Sequence, residues 1–225
     1  MKKEFANCAQ CPSKIADRLC KKEDGEFPLF CPTNNKRELM AECLEEYDDS
    51  QVMAFAKQAS IQEGEGYENR EVGYEFLKPV KPRILEIAEF AQKMNFKRLG
   101  LAFCVGLRQE AKIVGKFFES KDFEVISVIC KVGRVPKEHI GLHEHQKIAI
   151  GSFETMCNPI LQTFILNDAK TEFNILLGLC VGHDSLFFKY SAAPCTVLAV
   201  KDRVLGHNPL AAIYTIDSYY RSLRT

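Results

Sequence analysis

Residues 99–105 form a short apolar run closed by Gly106, and Ala111, Val114, Phe117 and Phe118 then recur at helical spacing. A second apolar, β-branched run follows over 123–130. Strand, helix and strand in so few residues predict a right-handed βαβ unit with parallel strands. The pattern resumes further on. Asn158-Pro159 opens a helix through about 167, 173–179 reads as a buried strand, 185–190 as a short helix and 196–200 as a strand. Asn208-Pro209 then opens a C-terminal helix. The expected fold class is α/β, an open, mostly parallel doubly wound sheet of at least four strands. Between the second strand and Asn158, residues 131–157 are polar and irregular, with Gly133, Pro136, Gly141 and three histidines, and read as a lid over the sheet edge. Before the sheet, helix formers fill 36–63 in two pieces broken near 48–50. Residues 62–70, with Gly64 and Gly66, read as an exposed linker, and a third helix spans about 82–94. The expected organisation is a four-cysteine segment (1–35), a helical linker region (36–78) and an α/β sheet domain (79–225).

Cysteine is the compositional anomaly, at 10 of 225 residues, and the start MKKEFANC has no apolar core of a secretory signal. The expected location is cytoplasmic, where thiols stay reduced and clustered cysteines point to metal or redox work rather than disulfides. Cys8, Cys11, Cys20 and Cys31 follow the spacing Cys-x2-Cys-x8-Cys-x10-Cys in a segment too poor in large apolar residues to bury a core. Two thiolates on a tight turn and two later ones make a tetrahedral set suited to zinc or an iron–sulfur cluster. Zinc is the choice here, because a cluster motif brings three cysteines closer together. A closed set of this kind is a structural staple, since it leaves no position for a substrate. Thirty basic and thirty acidic side chains balance, so no summed field nominates nucleic acid or an anionic membrane as partner, and no apolar run is long enough to span a bilayer.

The remaining cysteines fall where an open α/β sheet places its ligands, outside the carboxyl ends of the strands. Cys104 is near the end of the first strand, Cys130 ends the second, and Cys180 lies just past the third. Cys157 precedes a helix whose expected N-cap is Asn158. Cys104, Cys130, Cys157 and Cys180 are therefore candidates for a second metal or cluster site, against the alternative of small buried hydrophobes. Cys43, on a helix stripe, and Cys195, before an apolar strand, read as core. Cys180 or Cys157 is also a candidate nucleophile with His183 or His207 as proton partner, Asp184 being either its orienting group or the N-cap of the next helix. The run GLCVGHDS (178–185) lacks the Lys-Ser/Thr ending of a nucleotide phosphate loop. Gly182, with Lys201 and Arg203, is instead a candidate contact for a small anionic ligand. His139, His143 and His145 read as solvated.

The four N-terminal cysteines, LAFCVG (101–106), MCNPI (156–160), GLCVGHDSLFFKYS (178–191) and KDRVLGHNP (201–209) together resemble a family of uncharacterised prokaryotic metal-binding proteins with an N-terminal four-cysteine motif. The resemblance covers nearly the whole chain and implies metal binding without a reaction. The leading expectation is a metal-binding protein, zinc or iron–sulfur, with a thiol-rich site at the strand ends and a redox or metal-dependent role. The alternatives are a cysteine-nucleophile enzyme and a small-anion binding module with a purely structural metal.

Overall fold

The computed structural model describes residues 5–224, which fall into two compact units, Met1–Ile61 and Gln62–Thr225. The boundary lies inside a helix, whose last four residues, 62–65, belong to the second unit.

The first unit holds α1 (Pro32–Asn35), α2 (Arg37–Glu45) and most of α3 (Ser50–Glu65), preceded by turns. The break between α2 and α3 falls where expected. Asp49 caps the start of α3, its Oδ1 accepting from the Gln51 and Val52 N–H groups at 2.8 and 3.1 Å. None of the described residues of this unit is buried. Cys43, expected in a core, is accordingly exposed: an amphipathic stripe is buried only when something packs on it.

In the sheet unit, the expected linker over 62–70 is structured instead. Helix α3 runs on through Glu65, and β1 (Tyr67–Glu68) pairs antiparallel with β2 (Lys78–Pro79). Its polar residues, which read as solvated, are held by α4 (Arg83–Lys93). Glu65 pairs with Lys93 at 2.7 Å, and the buried Gln62 donates to Glu89 at 2.8 Å. Four parallel strands follow: β3 (Arg98–Phe103), β4 (Glu124–Ile129), β5 (Phe173–Leu177) and β6 (Cys195–Ala199), in the order β4-β3-β5-β6. They are joined by α5 (Arg108–Glu119), α6 (Pro159–Asp168) and α7 (His183–Tyr190), with α8 (Leu210–Tyr214) last. The chain steps one way from β3 to β4 and the other way from β4 through β5 to β6. Right-handed crossovers therefore put α5 on one face and α6 with α7 on the other.

Strand β5 is buried at every residue, as a central strand covered on both faces should be. Phe187, Leu166, Ile175 and Leu176 fill the core, and each such side chain contributes about 1.5–3 kcal/mol by leaving water. Edge strand β6 is closed by Arg83, which donates to Val197 O at 2.6 Å and to Thr196 Oγ1 at 2.9 Å. Segment 131–157 is tied down at its base. Pro136 bridges Thr155, Lys137 pairs with Glu154 at 2.7 Å, and the buried Lys147 lies between Glu138 and Glu144. Among the described residues no helix is long and apolar enough to cross a membrane.

Candidate functional site

Parallel register builds the site. Phe103 pairs with Ile129 and with Leu177, so the chain leaves all three strands at one level. Cys104 and Cys130 follow directly as neighbours on adjacent strands: Cys130 N donates to Phe103 O at 2.8 Å, Cys104 N to Leu177 O at 3.1 Å. The Asn158 N–H donates to Cys130 O at 2.8 Å, which brings Cys157 up to Cys130 at the start of α6. Asn158 is the N-cap there, its Oδ1 accepting from Leu161 N at 3.0 Å with Pro159 in the first turn. Beyond β5, Gly178 turns the chain at φ +68°. A Cβ there would fall 2.2 Å from Leu107 Cδ1, so only glycine permits the turn that carries Cys180 back over the strand ends.

These elements converge. Cys104, Cys130, Cys157, Cys180, His183, Gln162 and Leu179 line one cavity of about 10 Å³, a size suited to water and ions rather than to an organic molecule. It lies where the strand order reverses, between β3 and β5, the position at which open sheets of this class take their ligands.

The thiols are not equivalent. Cys130 stands between Cys104 and Cys157, and its hydrogen bonds to those two, with burial, push its own thiol strongly up. The same hydrogen bond holds Cys104 at about 5 against burial, helped by the Gly106 backbone and Lys201. Cys157 is held at about 4 by Cys130 first and His183 second, and the imidazole is raised in return, chiefly by Cys157. Cys104 and Cys157 are thereby drawn toward the thiolate and Cys130 toward the thiol, because three sulfurs side by side cannot all ionise together. The Val105 N–H also donates to Cys130 Sγ at 3.3 Å.

Positive charge surrounds the sulfurs. Lys201 Nζ lies over Gly178 and Gly106, 3.6 and 3.8 Å from where their Cβ atoms would be. Arg203 donates to Cys180 Sγ at 3.2 Å, and Lys131, tied to Thr155 O, lies near enough to Cys157 to favour its thiolate. Gly182 is the N-cap of α7 at φ +83°, with open space around it. That corrects the placement of Asp184, which is not the N-cap. Because Gly182 takes the turn, α7 starts at His183, two residues earlier than its pattern suggests, and the imidazole faces the cavity from the first turn. Asp184 Oδ1 instead accepts from the Ser185 N–H. His207 is not brought to the thiols: its Nδ1 contacts Asp202 N at 3.1 Å and Val200 O at 3.2 Å, closing its own loop. His143 and His145 stack on each other at 5.9 Å, away from the cavity lining.

The other four cysteines also come together. Cys8, Cys11, Cys20 and Cys31 line a cavity of about 50 Å³ with Arg18, Glu26 and Phe30. Asp17 and Leu19 exchange backbone hydrogen bonds with Glu26, and Arg18 reaches Ser13 O and Cys11 O. Gly25 is required by that close approach, since a Cβ would lie 2.3 Å from Leu19 N. Among the described residues, no three His, Cys, Asp or Glu side chains stand at distances that would close on a metal ion at either cavity.

Two contributors escape a reading by residue type. Gln162 lies in the apolar run ILQTFIL and is fully buried, its Nε2 donating to Val128 O at 2.7 Å and Phe103 O at 3.4 Å. A polar residue on the buried side of an apolar helix was the available signal. Lys131, one residue past Cys130, carried none.

Comparison with known proteins places the molecule without giving it a reaction. Residues 31–198 match a family described as a protein of unknown function, DUF1847. That span contains the four strand-end cysteines and His183, and starts beyond Cys8, Cys11 and Cys20. An uncharacterized protein of Methanocaldococcus jannaschii, MJ0455, is 41% identical over 213 residues, 95% of each chain. The chain therefore belongs to the DUF1847 family of uncharacterised proteins.

Proposed function

We propose that this is a metal-binding protein of the cytoplasm whose working site is the strand-end cavity, where Cys104, Cys130 and Cys157, with Cys180 or His183, take up one soft divalent ion. The observation that carries the reading is four thiols and an imidazole lining one small cavity. Soft thiolate and imidazole donors select zinc, copper(I) or iron–sulfur species over magnesium or calcium. Thiols that share a proton in this way surrender it when a cation arrives, so binding releases protons. Small side-chain rotations at the strand ends would close the set. Lys201, Arg203 and Lys131 then serve as counter-charges to an anionic thiolate site rather than as a separate anion pocket. The N-terminal cavity takes zinc as a closed staple, and the lack of buried residues in its unit supports that role, because bound metal can replace a missing core.

The test uses full-length chain carrying Cys8→Ser and Cys11→Ser, titrated anaerobically with cobalt(II). A stoichiometric thiolate-to-cobalt charge-transfer band that weakens when Cys130→Ser or Cys157→Ser is added is the expected result. No band in the parent variant overturns the reading.

A second reading has its own observation, the Cys157–His183 pair with a thiolate persisting to about 4. As a nucleophile, Cys157 of metal-free protein would alkylate ahead of the other thiols and lose that advantage in His183→Ala. Uniform alkylation of the exposed thiols would remove it.

A further inference from the structure

Gln162 is a fully buried amide on α6, under the thiol cavity that it helps to line. Its orientation is set by chemistry. Nε2 donates to Val128 O and Phe103 O at the ends of β4 and β3, and a flipped amide would aim its oxygen at those two carbonyl oxygens. Oε1 is therefore committed to the other side, and it is the one buried side-chain polar atom, among the described residues, without a hydrogen-bond partner. Native proteins seldom leave a buried acceptor bare, and such an atom in a cavity marks a missing donor. None of Cys104, Cys130, Cys157, Cys180 and His183 supplies one.

We propose that Gln162 Oε1 holds a water-sized protic ligand in the thiol cavity, so that the site is open and keeps one exchangeable position beside its thiolates. The inference rests on the metal reading above and extends it: a closed four-thiolate site would be structural, whereas an open one admits a small ligand to the metal. The ligand class is a molecule or anion of one heavy atom, or one bound end-on, carrying hydrogen on oxygen, nitrogen or sulfur. The acceptor gives such ligands an advantage over aprotic anions of similar size. The position also explains why an amide is placed in an otherwise apolar helix. Its donor end ties β3 to β4, and its acceptor end selects the occupant.

The experiment uses cobalt(II)-loaded full chain with Cys8→Ser and Cys11→Ser, titrated with azide and followed through the cobalt d–d bands. Saturable displacement of the resident ligand is expected. Gln162→Met, similar in volume and without the acceptor, should bind the same amount of cobalt and take azide roughly three- to ten-fold more tightly. The rival water has then lost one hydrogen bond. Bands indifferent to azide in the parent mean a closed site and overturn the inference without any change at Gln162. Equal azide affinity in parent and Gln162→Met overturns the role of the amide. Absence of stoichiometric cobalt in the parent removes the metal reading and this inference with it, whereas bound cobalt that ignores azide removes this inference alone.

Discussion

The two cysteine cavities are built by opposite means. At the strand ends, four features of the sheet unit, namely its register, the Asn158 cap, the Gly178 turn and the early start of α7, bring sulfur and imidazole together. Cys104 and Cys130 belong to the hydrophobic core itself, packed with Ala102, Val128, Leu166 and Phe187. The N-terminal cavity is about five times larger and is lined from turns of a unit with no buried residue. Locally it is folded by turns, by backbone hydrogen bonds around Glu26 and by the Arg18 guanidinium on Ser13 O and Cys11 O. The contrast teaches that the fold alone sets the first group of cysteines, whereas under the proposed metal reading the second group would depend on its ligand for its arrangement.

Chelation should break that symmetry with the largest effect. Removing metal from the full chain is expected to unfold the segment around Cys8 to Cys31, read as rapid protease cleavage there, while the sheet unit stays resistant. Equal resistance of both regions after chelation would contradict the contrast. Conversely, Phe187→Ala attacks the scaffold of the strand-end site alone. A cost of about 3–5 kcal/mol in denaturant unfolding of the sheet unit is expected, with metal retained by the N-terminal cysteines.

Thiol labelling sharpens the comparison at smaller scale. In metal-free protein the exposed Cys20 should react completely with a bulky maleimide while the buried Cys130 reacts only on unfolding, and comparable rates would show the strand-end cavity to be loose. The smallest effect concerns the segment that delivers Cys157. Glu154 is held at about 2, first by Lys137 and then by the Ile148 and Ala149 N–H groups, against an ordinary value of 4.5. A carboxyl lowered on folding adds stability that is complete above its ordinary value and fades as pH falls from there toward 2. Amide protection across 131–157, taken relative to the intrinsic exchange rate at each pH, should therefore fall below about pH 4.5, and Glu154→Gln should lower it already at neutral pH. Unchanged protection across that range would show that the ion pair does not tie the segment down.

Much of the sheet was legible because its signals are local. Short apolar runs, turn glycines and Asn-Pro pairs placed every parallel strand and the helices between them to within a few residues, and the strand ends then located the thiols. Side-chain partnership was not legible. Gln62 and Glu65 read as linker because nothing in their own neighbourhood announces Glu89 or Lys93, some thirty residues away. Cys43 read as core from periodicity, which reports that a face is apolar and not that it is covered. The start of α7 was missed because helix formers begin at Ser185, while the positive φ of Gly182 lets the helix begin earlier. His183 and His207 looked alike in sequence, each next to Asp or Asn, and only the fold separates the one at the cavity from the one that closes a loop. Gln162 needed the three-dimensional accounting of donors, since its meaning lies in an atom that has none.

The central claim is that the strand-end cavity binds one metal ion independently of the N-terminal cysteines. Native mass spectrometry of zinc-loaded full-length protein counts ions per chain directly. Two are expected for the wild type, one for Cys8→Ser/Cys11→Ser and one for Cys104→Ser/Cys157→Ser. A wild type with a single zinc that survives Cys104→Ser/Cys157→Ser and is lost in Cys8→Ser/Cys11→Ser would contradict it, leaving the strand-end thiols to the nucleophile reading.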